Sequence, residues 1–185
     1  MGRISWVFWA LFVVAAPLFL ITASVTWAFN SPGVYNDGFE KYSISRISGI
    51  TAADLRQVGA ELRRYLNSTD EPLSIRTRIG GGEQYLFNEK ETTHMRDVKQ
   101  LVHGVYMLGA ASAFYLLATT MAGLWHSRAG FLEKLAPRLV WGGGLTLVLL
   151  LVFGLVAATG FDTLFLRFHQ FSFANDFWQL DPRTD

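Results

Sequence analysis

Three apolar stretches constrain this chain more than any other feature. Trp6–Phe29 runs 24 residues without a charged side chain. Leu101–Trp125 carries no Asp, Glu, Lys or Arg and only one titratable group of note, His103. Leu139–Phe161 carries no charge at all. Hydrocarbon offers a backbone no hydrogen-bond partners, so a spanning segment must be a helix of about 20 mostly apolar residues. Each stretch meets that length, and no soluble core needs three of them. The expectation is an α-helical membrane protein with three transmembrane helices.

Charge then divides the remainder. Asp, Glu, Lys and Arg make up 17% of the chain and crowd between Asp37 and Lys99. The segment Asn30–Gln100 holds ten basic and ten acidic residues, a balance suited to a small folded α+β domain outside the membrane. The segment His126–Arg138 holds Arg128, Lys134 and Arg138 against Glu133. Short cytoplasmic loops carry excess Lys and Arg, so this segment reads as cytoplasmic. Arg3 near the N-terminus agrees. The expected order is an N-terminal span (1–29), an extracytoplasmic domain (30–100), a second span (101–125), a cytoplasmic loop (126–138), a third span (139–161) and an extracytoplasmic tail (162–185). The first stretch exceeds the ~7–15 apolar residues of a signal-peptide core, so it reads as a retained anchor. Net charge is +1, which gives no reason to expect nucleic acid, and the absence of cysteine excludes disulfides and thiolate chemistry.

Local patterns fill in the middle. Asn30–Ser31–Pro32–Gly33 is a turn cluster, and Phe39–Ile44 alternates loosely as a strand would. Ala52–Tyr65 spaces Leu55, Val58, Leu62 and Leu66 as a helix does, with Thr51 as its cap. Leu73–Ile79 reads as a short strand and Gly80–Gly82 as a turn. Asn88 and Glu91 form a capping-box pattern that starts a helix, and no breaker interrupts it until Gly104. One helix is therefore expected to begin at Glu89 and continue into the second span. The glycines Gly142–Gly144 and Gly154 suit close helix packing. The aromatic tail Phe161–Trp178 suits a membrane interface.

The histidines carry the candidate chemistry. His126 lies among cations, and His103 lies on the helix face opposite His94, where it can snorkel or bond a neighbouring helix. Glu91, His94 and Asp97 follow at three-residue spacing, with Lys90 one turn before His94. A carboxylate near a histidine fixes its tautomer and raises its basicity, which suits a general base. His169 follows the third span by eight residues, so it and His94 fall at one membrane level. No G-x-S-x-G elbow and no H-E-x-x-H motif is present. Two readings remain open on these residues: proton transfer on a lipid-like substrate, or a metal site built from the histidines with Asp97 or Glu91.

Two longer motifs carry a resemblance. Phe87–Lys99, with Glu91, His94, Met95, Asp97, Val98 and Lys99 in register, resembles a signature of a family of small bacterial integral membrane proteins that includes the lipoprotein intramolecular transacylase. Phe168–His169–Gln170–Phe171–Ser172–Phe173–Ala174–Asn175–Asp176–Phe177–Trp178–Gln179–Leu180–Asp181–Pro182 is similar to its second signature. The resemblance implies an acyltransferase acting on a diacylglyceryl-modified lipoprotein in the cell membrane. Its sn-2 acyl chain would pass to the N-terminal cysteine amine and leave a lyso-form. It implies His94 and His169 as the catalytic pair, with Glu91 or Asp97 orienting His94. Lys99 and Asn175 would be oxyanion or headgroup contacts, or structural. No cofactor and no metal is implied, and the partners are the lipoprotein and membrane lipid. The family pattern also implies a fourth span beyond Leu-Asp-Pro. A non-enzymatic member that binds a partner through the outer domain is the alternative.

Overall fold

The computed structural model describes residues 3–180 and the side chains from Trp6 onward. The second half of the Leu-Asp-Pro motif, Asp181–Pro182, lies outside the described residues, as does the side chain of Arg3. The chain is mostly helical: α1 (Arg3–Asn30), α2 (Pro32–Lys41), α3 (Ile44–Ser48), α4 (Ala52–Leu66), β1 (Arg76–Ile79), β2 (Gly82–Tyr85), α5 (Glu89–His126) and α6 (Arg128–Ser172). Helices α1, α5 and α6 are each long and apolar enough to cross a membrane. Contacts divide the chain into two units, residues 1–25 with 104–167, and residues 26–103 with 168–185.

In the first unit, small residues bring the helices together. A Cβ added at Gly109 of α5 would lie 2.9 Å from the Thr22 hydroxyl of α1, and one at Gly142 of α6 would lie 2.9 Å from Ala16 Cβ. Lipid is as apolar as leucine, so such helices associate through close van der Waals packing rather than hydrophobic expulsion. Phe131 of α6 is buried against Gly123 of α5 and stacks on Trp9 of α1 at 5.6 Å between centroids. Tyr115 donates its hydroxyl proton to the Phe8 carbonyl (2.8 Å), which ties α5 to α1. Of the glycine triplet, Gly142 makes a close contact, whereas Gly143 and Gly144 face open space.

The expected loop 126–138 is not a loop. Only Ser127 separates α5 from α6, and Arg128–Arg138 forms the first three turns of α6. Pro137 lies inside that helix. The helix that carries the third span breaks at Gly160 (φ −161°, ψ 51°), next to the expected end at Phe161. Helical structure then resumes through Ser172, carrying His169 on a helix rather than in an irregular tail.

In the second unit, α4 forms as its spacing predicts. The Thr51 side chain accepts the Asp54 N–H (3.1 Å). Val58, Tyr65 and Leu66 from its inner face join Leu73 and Ile75 in a buried cluster, against which Met95 and Val98 of α5 pack. The strand expected over Phe39–Ile44 is instead the end of α2 and the start of α3. Tyr35 and Phe39, one helical turn apart, both press on Gly59 of α4, where a Cβ would come within 3.3 Å of the Phe39 ring. The aromatic spacing was thus helical, and Ser43 in the left-handed region (φ 52°) separates α2 from α3. The expected strand Leu73–Ile79 shortens to Arg76–Ile79. It pairs antiparallel with β2, Arg76 opposite Tyr85 and Ile79 opposite Gly82. Gly80 (φ 61°) and Gly81 (φ 91°) make the turn in conformations that other residues rarely adopt.

Candidate active site

The site grows from the N-terminal turns of α5. Asn88 and Glu91 close the capping box in both directions: Asn88 Oδ1 accepts the Glu91 N–H (2.9 Å), and Glu91 Oε2 accepts the Asn88 N–H (2.8 Å). Glu91 therefore secures the helix start, and no hydrogen bond joins it to His94. From this cap, Lys90, His94 and Asp97 fall at i, i+4 and i+7, which is one stripe of the helix.

The segment after α6 lies along that stripe. Lys90 Nζ donates to the Gln179 carbonyl (2.6 Å). Asn175 Nδ2 donates to Asp97 Oδ2 (2.8 Å), while Asn175 Oδ1 accepts the Phe177 N–H (3.1 Å). Between these two anchors the rings of His94 and His169 stand 6.2 Å apart, tilted by 33°. Two histidines 75 positions apart in the chain are thus neighbours.

Aromatic rings wall the pair. Phe173 is buried, with its ring 5.0 Å from His94 and 5.5 Å from His169. Trp178 lies 5.1 Å from His169, and Phe168 lies edge-on at 5.3 Å. His169 is 9% exposed. His94 Nδ1 is buried and has no hydrogen-bond partner among the described residues. Burial lowers the His94 pKa below the usual imidazole value, and the neighbouring His169 lowers it further, against an opposing pull from Asp97. Both effects favour the neutral imidazole, in which one ring nitrogen carries a lone pair. Sequence reasoning assigned Phe173 and Trp178 only to a membrane interface. Their place beside His169 had no periodic signal, because the turn after Ser172 sets it.

Lys99 belongs elsewhere. It lies 140° around the helix from His94, on the face toward α4. It is 5% exposed, and its Nζ donates to the Asp70 carbonyl, lies 3.2 Å from Glu71 Oε1 and sits 3.9 Å over the Tyr65 ring. Arg96 reaches the same Glu71 at 3.4 Å, and the Tyr65 hydroxyl donates to it (3.2 Å). Burial first, then the Glu71 charge, push the Tyr65 pKa up to about 12. Sequence reasoning missed Glu71 and Tyr65, because an acid in a turn and an aromatic on a core stripe are unremarkable alone. His103, as anticipated, bonds a neighbouring helix: its Nε2 donates to the Leu66 carbonyl (2.9 Å). Among the described residues, no set of three or more His, Asp or Glu is arranged to hold a metal ion.

The sequence profile of the family described as lipoprotein intramolecular transacylase Lit matches residues 10–185. The chain belongs to the Lit family. Solved structures agree in fold. The chain superposes on the membrane-integral lipoprotein intramolecular transacylase Lit from Bacillus cereus with a TM-score of 0.76 at 20% identity, covering 100% of this chain and 80% of that one. A variant of that protein with one histidine replaced by arginine gives 0.75 at 17% identity, covering 100% and 76%. The variant with alanine gives 0.69 at 20% identity, covering 100% and 78%. No curated protein matches the chain. Membership in Lit, together with three apolar helices, makes this an integral membrane protein.

Proposed function

We propose that this chain is an intramolecular O-to-N acyltransferase of the cell membrane. Its substrate is a lipoprotein whose N-terminal cysteine carries a diacylglyceryl group, and its product is the lyso-form. The observation that carries this reading is the His94–His169 pair, walled by aromatic rings, with a buried and unengaged nitrogen on His94. Family membership supplies the reaction class.

The N-terminus and the Ser127 connection lie on the cytoplasmic side, and residues 30–100 and 162–185 lie outside. The excess of Arg and Lys in 126–138 supports this orientation. Both histidines then sit on the outer face, where a translocated lipoprotein arrives.

The reaction needs two proton movements. The substrate's α-amine, with an ordinary pKa of about 8, must lose a proton to attack. His94 takes it as the new N–C bond forms at the sn-2 ester carbonyl. The tetrahedral oxyanion collapses, the C–O bond to glycerol breaks, and His169 returns a proton to the glycerol oxygen. An amide and a free hydroxyl result, with no acyl-enzyme, which fits a chain without cysteine. Amine and ester belong to one molecule, so holding them in register supplies much of the rate. Asp97 supports the proton affinity of His94, and Asn175 fixes Asp97. Phe173 and Trp178 exclude water from the pair.

The test is a lipoprotein mass spectrum from cells expressing the chain or its variants. His94→Ala and His169→Ala should each abolish the lyso-form while the protein still accumulates in the membrane. Lyso-form production at the wild-type level by either variant would sink the assignment.

A further inference from the structure

The first unit holds a second feature that acyl transfer does not use. A cleft of about 530 Å³ lies between α1 and α6, lined by Trp6, Trp9, Val13, Pro137, Arg138 and Trp141. Gly142 approaches Ala16 and Val13 closely. On the N-terminal side of that contact, Trp6, Trp9 and Trp141 line the cleft. Trp6 and Trp141 are each 72% exposed, so the cleft walls face outward.

One cation is held at this cleft. The Arg138 guanidinium lies 4.9 Å over the Trp9 ring and donates to the Lys134 carbonyl (2.9 Å). Trp9 is itself fixed by stacking on the buried Phe131. Arg138 is therefore aimed rather than free to sweep through solvent. It stands immediately before the uncharged run Leu139–Phe161, at the level where lipid phosphates meet hydrocarbon. Arg128 and Lys134, against Glu133, keep the surrounding turns positive.

We propose that this cleft is a binding site for one anionic phospholipid. Its headgroup phosphate pairs with Arg138, and an acyl chain lies along the groove walled by Trp6, Trp9 and Trp141. Two facts select this occupant. A guanidinium donates two parallel hydrogen bonds to a phosphate, which a zwitterionic lipid also offers but counters with its own cation. Indole rings favour the headgroup boundary, where one edge is wet and the other apolar. The site shares no residue with the histidine pair.

The full chain in detergent, equilibrated with equal amounts of phosphatidylglycerol and phosphatidylcholine of the same acyl chains, is examined by native mass spectrometry. One phosphatidylglycerol should remain bound where phosphatidylcholine is stripped, a preference of about tenfold or more. Arg138→Gln should erase the preference, and Arg138→Lys should retain part of it. Arg78→Gln makes the same charge change at a residue that belongs neither to the cleft nor to the turns around it and should leave the preference intact. A second measurement needs no variant. Three of the six tryptophans line the cleft, so brominated phosphatidylglycerol should quench the wild-type fluorescence more than brominated phosphatidylcholine at equal bromine content. Equal retention or equal quenching by the two lipids overturns the proposal, as does an undiminished preference in Arg138→Gln.

Discussion

Replacing Lys99 separates two roles that its place in the sequence leaves together. If Lys99 stabilised an oxyanion, Lys99→Met would cost activity and little stability. The buried setting argues the reverse. Methionine fills the space of the aliphatic stem, so the loss is that of the ammonium group. That group holds one backbone carbonyl, a charge-assisted bond worth about 1.5–3 kcal/mol. Its pairing with Glu71 falls between two limits: about 3–5 kcal/mol for breaking a fully buried pair and under about 1 kcal/mol for an exposed one. Glu71 is 38% exposed and keeps Arg96 and the Tyr65 hydroxyl, so the lower part of that range applies. The total is about 2–4 kcal/mol. For a chain of this size that lowers Tm by roughly 4–16 °C. The assay is thermal unfolding in one detergent, beside lyso-form production at a temperature where both proteins are folded. The expected result is a lower Tm with activity per folded molecule within about threefold of wild type. An unchanged Tm with activity lost would refute this reasoning and return Lys99 to the site.

Two further outcomes follow from the same geometry. Asp97→Asn removes the one group that raises the His94 pKa, leaving burial and His169 to depress it further. A base must be neutral to act, so the acidic limb of the pH–rate profile should move to lower pH and the plateau rate should fall; a limb moving upward would contradict this. The sign for stability is separate: the folded His94 pKa lies below its unfolded value, so this histidine costs stability as pH falls from about 6.5 toward that folded pKa. Gly123→Ala places a Cβ 2.1 Å from the Phe131 ring, so it should destabilise by about 1–3 kcal/mol, with Phe131→Leu in the same chain restoring most of the loss; equal melting of Gly123→Ala and wild type would show that this contact yields freely.

The legible parts of this molecule were those whose signal is local or periodic. The apolar runs, the Thr51 cap, the α4 stripe and the Asn88–Glu91 box each lie within a few turns of chain, and all took the form their residues dictate. The misreadings share a cause. Phe39–Ile44 looked like a strand because its helical partner, Tyr35, fell outside the window, and because Gly59, the surface both rings meet, is twenty residues away. The segment 126–138 looked like a loop because its charges obscured that Arg128–Arg138 has two breakers, Gly130 and Pro137, and is otherwise helix-compatible. At the site, His94 and His169 could be brought to one membrane level by counting residues. Counting could not reveal that Phe173 fills the corner between them, or that Asp97 takes Asn175 as its partner. Nor could it show that Lys99, two positions from Asp97, turns away to Glu71. The first two depend on how the chain leaves α6 at Ser172, and the third on where the turn after α4 places Glu71, and no short pattern encodes either.

The unbroken course of α5 has a consequence for evolution of the site. His94 stands seven residues before Leu101 on the same helix, so it projects about 10 Å beyond the apolar segment. On a helix, height and compass bearing are not independent. One inserted residue lifts His94 by about 1.5 Å and also swings it by about 100°. An insertion or deletion that kept the bearing would have to be about seven residues, and would move the imidazole by a further ~10 Å along the helix axis. The spacing between His94 and Leu101 therefore acts as a fixed gauge. Side chains along it can drift, but its length can scarcely change without losing aim or depth.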